Sequence, residues 1–140
     1  MDGWDGYPEA RRRLLSGIVD REVRNPVVLT GDVHRHYAND LRLDYDDPAS
    51  RPLGVELVTT SVTSGGDGSA RTAMTDVQLA EGSDLHFADS RRGYLVTRFD
   101  REHLRADFRV LTRVSRPGAQ ATTAASFVVE DRVPALVRRA

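Results

Sequence analysis

A mixed α/β fold is what this 140-residue sequence predicts, and three observations carry the prediction. An amphipathic helical segment runs directly into a short apolar strand. A β-branched segment follows it. The last third of the chain then carries two strands that read as a hairpin and a third after a Pro-Gly turn. A helix feeding a buried strand is half of a β–α–β unit, so the order implies one α/β step followed by an antiparallel tail with mixed sheets. The strand that such a unit places before the helix is not found in these residues.

Taken in order, Tyr7 to Arg24 reads as the helix. Leu14 with Ile18 and Leu15 with Val19 make two i,i+4 apolar pairs, with Arg and Glu on the opposite face. Pro8 suits the first helical turn, and Gly17 costs about 1 kcal/mol relative to Ala. The ring of Pro26 disfavours the α region at Asn25 and marks the helix end. Val27-Val28-Leu29 is apolar without alternation, as expected of a central strand covered on both faces. A polar turn spans Asp44 to Pro52, and Gly54 to Ser64 reads as a second strand. Ser64 to Ala70 is a glycine-rich loop, and Thr72 to Glu81 a weak helix. Arg92 to Phe99 and Leu104 to Val114 read as strands joined at Asp100 to His103. In the second, Leu104, Ala106, Phe108 and Val110 alternate with Arg105, Asp107 and Arg109, predicting one buried and one wet face. Ala125 to Asp131 is the last strand, after the Pro117-Gly118 turn. There are no internal repeats and no heptads.

Composition narrows the function classes. Twenty basic residues face 21 acidic ones, a formal net charge of −1, which argues against a nucleic-acid footprint. Every basic residue is Arg; a GC-rich coding sequence accounts for that better than phosphate recognition does. The absence of Cys removes disulfides and thiolate metal sites within these residues. No apolar run reaches bilayer length and the first residues lack a signal-peptide pattern, so a soluble, untargeted domain is expected.

The candidate chemistry lies in Gly31-Asp32-Val33-His34, directly after the apolar strand. Open α/β sheets hold their working residues beyond the carboxyl ends of strands. In extended backbone, side chains two apart point the same way, so the Asp32 carboxylate and the His34 imidazole can converge on one cation. That donor mixture suits iron, manganese or zinc, with calcium at an oxygen-rich neighbour. The plainer alternative makes Asp32 a turn cap and His34 a surface residue. His36 continues the alternation and is expected to line the mouth of the site as readily as to bind anything. Ser64-Gly65-Gly66-Asp67-Gly68 could cradle a phosphate, but it lacks the Lys and spacing of a P-loop and reads better as a flexible surface loop. Asp2 to Tyr7 reads as a cap on the helix with Trp4 folded onto the core. His86 and His103 stand alone, His103 solvated in a hairpin turn. Arg91-Arg92 could face a phosphate but reads better as an ordinary charged face before a strand.

Six stretches, in order, resemble the C-terminal part of the PhoD-like metallophosphatases (the alkaline phosphatase D family): DGWDGYPEARRRLL, NPVVLTGDVHRHYANDL, VTTSVTSGGDG, SRRGYL, DFRVLTRVSRPGA and ASFVVED. They run from Asp2 almost to the C-terminus, and their joint order and spacing carry the resemblance. It implies part of a four-layer α/β/β/α sandwich with mixed sheets, residues 1–140 being the C-terminal portion of the domain. It also implies metal-dependent hydrolysis of phosphate monoesters or diesters with iron and calcium. On this resemblance Asp32 and His34 are metal ligands and catalytic residues, and Trp4 and Asp5 approach the substrate pocket. The SGGDG loop lies near the active site. Where many relatives carry Asn-Pro-His, Gly82-Ser83-Asp84 stand here, so Asp84 either replaces that His or the contact is lost.

The family's early ligands belong to an N-terminal portion not found in these residues, and Met1 stands where relatives continue from upstream. One Asp and one His cannot close a two-metal site. The expectation is therefore a fragment, inactive alone, whose partner is the remaining portion of the same domain. The strand Val27 to Leu29 would then be an exposed apolar edge. A non-catalytic truncated or pseudo-phosphatase domain that needs a partner chain is the alternative; an unrelated α/β binding module would make the six stretches coincidence. Secretion or a periplasmic location is implied by the family alone.

Overall fold

The computed structural model describes residues 3–47 and 49–139. Met1, Asp2 and Pro48, on which parts of the readings above fall, lie outside them, as does Ala140.

A single 3-10 turn, Trp4–Gly6, leads into helix α1, Pro8–Asp20, with Pro8 at the first helical position as expected. The helix closes at Asp20, earlier than Arg24. Val23 N donates to Ile18 O (3.0 Å) and Glu22 N to Val19 O (3.0 Å), a pair of bonds that requires a left-handed residue at the turn. Glu22 takes that role at φ 50°, so the backbone has already reversed before Pro26 can act. Leu15 is buried while Leu14 and Val19 are exposed, so only part of each expected apolar pair faces protein.

Among the described residues, eight strands form two four-stranded sheets. The first contains β1 (Val27–Thr30), β2 (His36–Arg42), β3 (Pro52–Val58) and β4 (Leu85–Asp89), in the order β1-β3-β2-β4. β1 runs parallel to β3, and the other pairs are antiparallel. The second, β5 (Gly93–Phe99), β6 (His103–Leu111), β7 (Ala121–Glu130) and β8 (Val137–Arg139), is an antiparallel meander. Helix α2, Ala73–Glu81, starts at Thr72, whose hydroxyl accepts from Thr75 N (3.1 Å) while Thr72 N donates to Thr75 Oγ1 (2.8 Å). Each helix packs on the first sheet, α1 against β3 and α2 against β4.

The sheets pack face to face. Ala38, Val55, Leu57 and Phe87 of the first meet Leu104, Ala106, Phe108, Phe127 and Val129 of the second. Phe108 stands at the centre, its ring centroid 5.0 Å from Phe87 and 6.0 Å from Phe127. Burying each such ring contributes about 1.5–3 kcal/mol. Helices, mixed sheet and antiparallel sheet are thus successive layers of the expected sandwich.

Several boundaries differ from the sequence expectation, each for a local reason. β1 is not covered on both faces: it pairs with β3 alone, and Leu29 is 52% exposed, giving the apolar edge foreseen for this strand. β2, β4 and β8 were not expected. β3 leaves the sheet after Val58 because Thr60 N turns to donate to His36 Nδ1 (3.2 Å). β6 stops at Leu111 because the amides of Val114 and Ser115 go to Asp67 Oδ1 instead of to a strand (2.6 and 2.8 Å). Asp107, expected on a wet face, is buried and accepts from Ser126 Oγ (2.6 Å) and Arg105 Nε (3.1 Å).

Candidate active-site loop and groove

The strand order determines the loop. β1 and β3 run in the same direction and β2 lies beyond β3, so residues 31–35 must cross the carboxyl end of β3. A Cβ at Gly31 would make only ordinary contacts with Thr59, 3.5 Å at the nearest. The tight turn falls instead on Asp32 (φ 72°) and His34 (φ 56°), with Val33 N donating to Gly31 O (2.9 Å). Left-handed backbone costs an L-residue roughly 1–2 kcal/mol. Such strain gathers at functional sites. The extended geometry that would align the two side chains is therefore absent: a left-handed turn separates them.

Asp32 lines a groove of about 930 Å³ over the outer face of the first sheet. Its floor includes Thr30, Tyr37, Asn39, Glu56 and Val58; Trp4 and Asp5 line one wall, and Met74 and Gln78 of α2 another. Asp32, Trp4 and Asp5 thus border one cavity. Trp4 is half-buried there, and Asp5 is ion-paired with Arg11 (2.5 Å). His34 lies away from this lining, its Nδ1 3.7 Å from where a Cβ of Gly65 would be. On the floor, Glu56 accepts from Asn39 Nδ2 (3.2 Å). Burial and then the charge of Asp5 push its carboxyl above the usual range, against the pull of Asn39 and Arg11.

The glycine-rich loop is exposed but tied down along its length. Asp67 receives the amides of Val114 and Ser115 and the Ser115 hydroxyl, which hold its carboxyl below the usual range. Ser90 contributes N and Oγ to Ser69 O (3.1 and 2.9 Å). Gly68, at φ 72°, has room for no side chain, because a Cβ would lie 1.9 Å from Ser90 O. The flexible-loop expectation is corrected accordingly.

Two residues that sequence reasoning misjudged organise this region. His36 does not line the mouth: it is fully buried, edge-on to Phe108 with centroids 5.2 Å apart. Its Nδ1 accepts from Thr60 N (3.2 Å) and Nε2 faces Arg109 O (3.3 Å), so the neutral Nε2–H tautomer satisfies both partners. Burial lowers its pKa in keeping with that. Arg92 is no surface charge either: it is 4% exposed, and its guanidinium donates to Ser61 Oγ, Ser64 O, His34 O and Ser90 O. Nothing in residue type distinguishes these from a surface His and Arg; only their register on a strand and a turn does. Elsewhere, Asp84 pairs with Arg42. His86 is not isolated but bonds Asp40 Oδ2 (2.9 Å), a contact that raises its pKa. His103 is exposed in its hairpin.

No hydrogen bond or ion pair among the described residues engages the Asp32 carboxylate or the His34 imidazole, and no group of three or more potential metal ligands gathers there. One carboxylate and one imidazole, both free to coordinate, fit as two donors of a larger set.

Helices over a mixed sheet, an antiparallel sheet behind it and polar donors beyond the carboxyl end of a parallel strand define an α/β sandwich with its candidate chemistry at a strand end. The PhoD-like phosphatase family matches residues 1–108, and the chain belongs to that family. It is 42% identical over 130 residues to alkaline phosphatase D of Bacillus subtilis (strain 168), covering 93% of this chain and 22% of that protein. A solved structure described as "Structure of PhoD" superposes with a TM-score of 0.93 at 40% identity, covering 99% of this chain and 27% of that one. The chain therefore spans about a quarter of the length of these relatives.

Proposed function

We propose that this chain contributes Asp32 and His34 to the metal centre of a phosphoester hydrolase whose other ligands come from the remaining portion of the same domain. The observation that carries the reading is the Asp32–His34 loop itself. Both side chains are unengaged and sit on strained backbone, and Asp32 borders the groove that Trp4 and Asp5 also line. Iron and calcium, when bound, would polarise a phosphoryl oxygen and activate water. Asp32 holds a metal; His34 binds a metal or orients the phosphoryl group. Trp4 and Asp5, the latter paired with Arg11, form one wall of the groove, beside which the substrate would lie. The substrate is a phosphate monoester or diester, and action outside the cytoplasm rests on the family resemblance. Among the described residues no helix is long and apolar enough to cross a membrane.

Among the described residues no group of three or more potential ligands gathers, which supports a part that gains activity with the remainder. The test grafts this chain in place of the matched segment of the Bacillus subtilis protein, with iron and calcium supplied. Hydrolysis of p-nitrophenyl phosphate and its bis-ester is then followed. The chain alone should show no turnover and the graft metal-dependent turnover. D32A and H34A should each lose more than the roughly 10–100-fold that outer ligand-supporting residues cost. Near-normal rates in both variants would overturn the assignment.

A further inference from the structure

We propose that Arg92 is a positioning residue for the candidate metal loop: its buried guanidinium fixes His34 against the Ser61–Gly66 loop and leaves an unneutralised positive charge beneath both. What this does for catalysis rests on the phosphatase reading; the positioning does not.

The acceptors come from three separate segments. Nη2 donates to His34 O (3.1 Å) in the β1–β2 crossing and to Ser90 O beside Arg92 itself. Nη1 donates to Ser61 Oγ (2.8 Å) and Ser64 O (2.5 Å) at the base of the glycine-rich loop. One planar fork therefore sets the distance between the two loops, which a single ammonium point could not do. Gly65 lets them meet: a Cβ there would lie 3.1 Å from Nη1 and 3.7 Å from the His34 ring.

The neighbouring residue makes the contrast. Arg91 spends its charge on Asp89, with Nε and Nη2 on the carboxylate (3.1 and 2.6 Å to Oδ2). Arg92, with 4% of its surface exposed, forms no ion pair with a carboxylate among the described residues, and its Nε has no hydrogen-bond partner. A buried cation balanced only by carbonyl and hydroxyl dipoles is expensive to keep. A leucine or methionine would fill the space without that cost, so the charge and the fork are what the site retains. On the phosphatase reading that charge would sit beneath His34, where it would attract a phosphoryl anion held by the imidazole.

Amide hydrogen exchange on this chain, with R92A and R92K, tests the proposal. The ring resonances of its four histidines give a second readout. In R92A, amides of residues 31–35 and 61–66 should exchange about tenfold faster relative to those of β6. The His34 resonance should move or broaden while those of His36, His86 and His103 stay in place. Added guanidinium should restore both, and R92K should restore them only in part. Should R92A fail to fold, R92K is read by the same two measurements. Unchanged loop exchange, or protection lost evenly from the loops and β6 with no rescue by guanidinium, would overturn the proposal. Neither readout needs metal or turnover, so failure of the phosphatase reading would appear in the graft experiment and leave these outcomes untouched.

Discussion

Glu56 shows how a single side chain on the groove floor ties proton binding to folding. Its unfolded carboxyl titrates near 4.5, and burial raises that value in the folded chain. A group raised on folding contributes stability that is full below the unfolded pKa and is lost as pH rises through the folded one. Glu56→Gln removes that loss. Urea unfolding should show the variant equal to the parent below about pH 4 and more stable than it at about pH 7.5; equal midpoints at both pH values would contradict the burial argument. At this scale the strand-then-Gly-Asp-x-His order singled out Asp32 and His34 as candidates, and left the burial of Arg92 and His36 hidden. Arg is almost never fully buried without a partner. No pattern of residue types announces the exception; it becomes visible only when the turn after β4 is seen to face two loops.

At the scale of elements, legibility followed the hydrophobic period. The Leu104 to Val110 alternation and the Pro8 start of α1 could be read because apolar side chains mark the buried face. β2 could not: its buried inward positions include His36 and Asp40 beside Ala38, so its inner face looks polar. The polar interior is satisfied by partners remote in sequence, Asp40 receiving both His86 and the amide of Leu136 (2.9 Å). β8, whose three residues pair with β7, begins just past that anchor at Leu136. The end of α1 offers a test of local strain. Glu22 occupies a left-handed position where glycine is at ease, so Glu22→Gly should stabilise the chain by about 1 kcal/mol. Chemical denaturation measures it, and a loss of stability would show that the Glu22 side chain matters more than its backbone. The same substitution at His34 would relieve similar strain but remove the imidazole proposed as a ligand, which is why Glu22 and His34 call for opposite treatment in any stabilised variant.

For the whole molecule, the class of fold was legible and the strand order was not. Periodicity reports which face of a strand is buried; it is silent on which strand lies alongside, so the insertion of β3 between β1 and β2 could not be foreseen. The unpaired side of β1, with Leu29 half in water, is an aggregation liability. Edge strands of this kind recruit other chains. Leu29→Lys should therefore reduce association of the isolated chain as concentration rises, measured by light scattering, without altering its far-UV spectrum. Undiminished association would place the sticky surface elsewhere, for instance at the exposed Leu14 and Val19 of α1.

The insertion of β3 also imposes a schedule. During synthesis, residues 27–42 emerge before residues 52–58, yet β1 and β2 share no ladder until β3 enters between them. A direct β1–β2 hairpin would be the local, fast pairing, and it is the wrong one. The left-handed turn at Asp32 and His34 is drawn over the end of β3, so it takes shape only after that wrong hairpin has been avoided or undone. On the proposed reading, a metal ion reaching the nascent chain early would meet an Asp and a His still in flexible backbone, so loading of such a centre would have to wait until the sheet is correctly threaded.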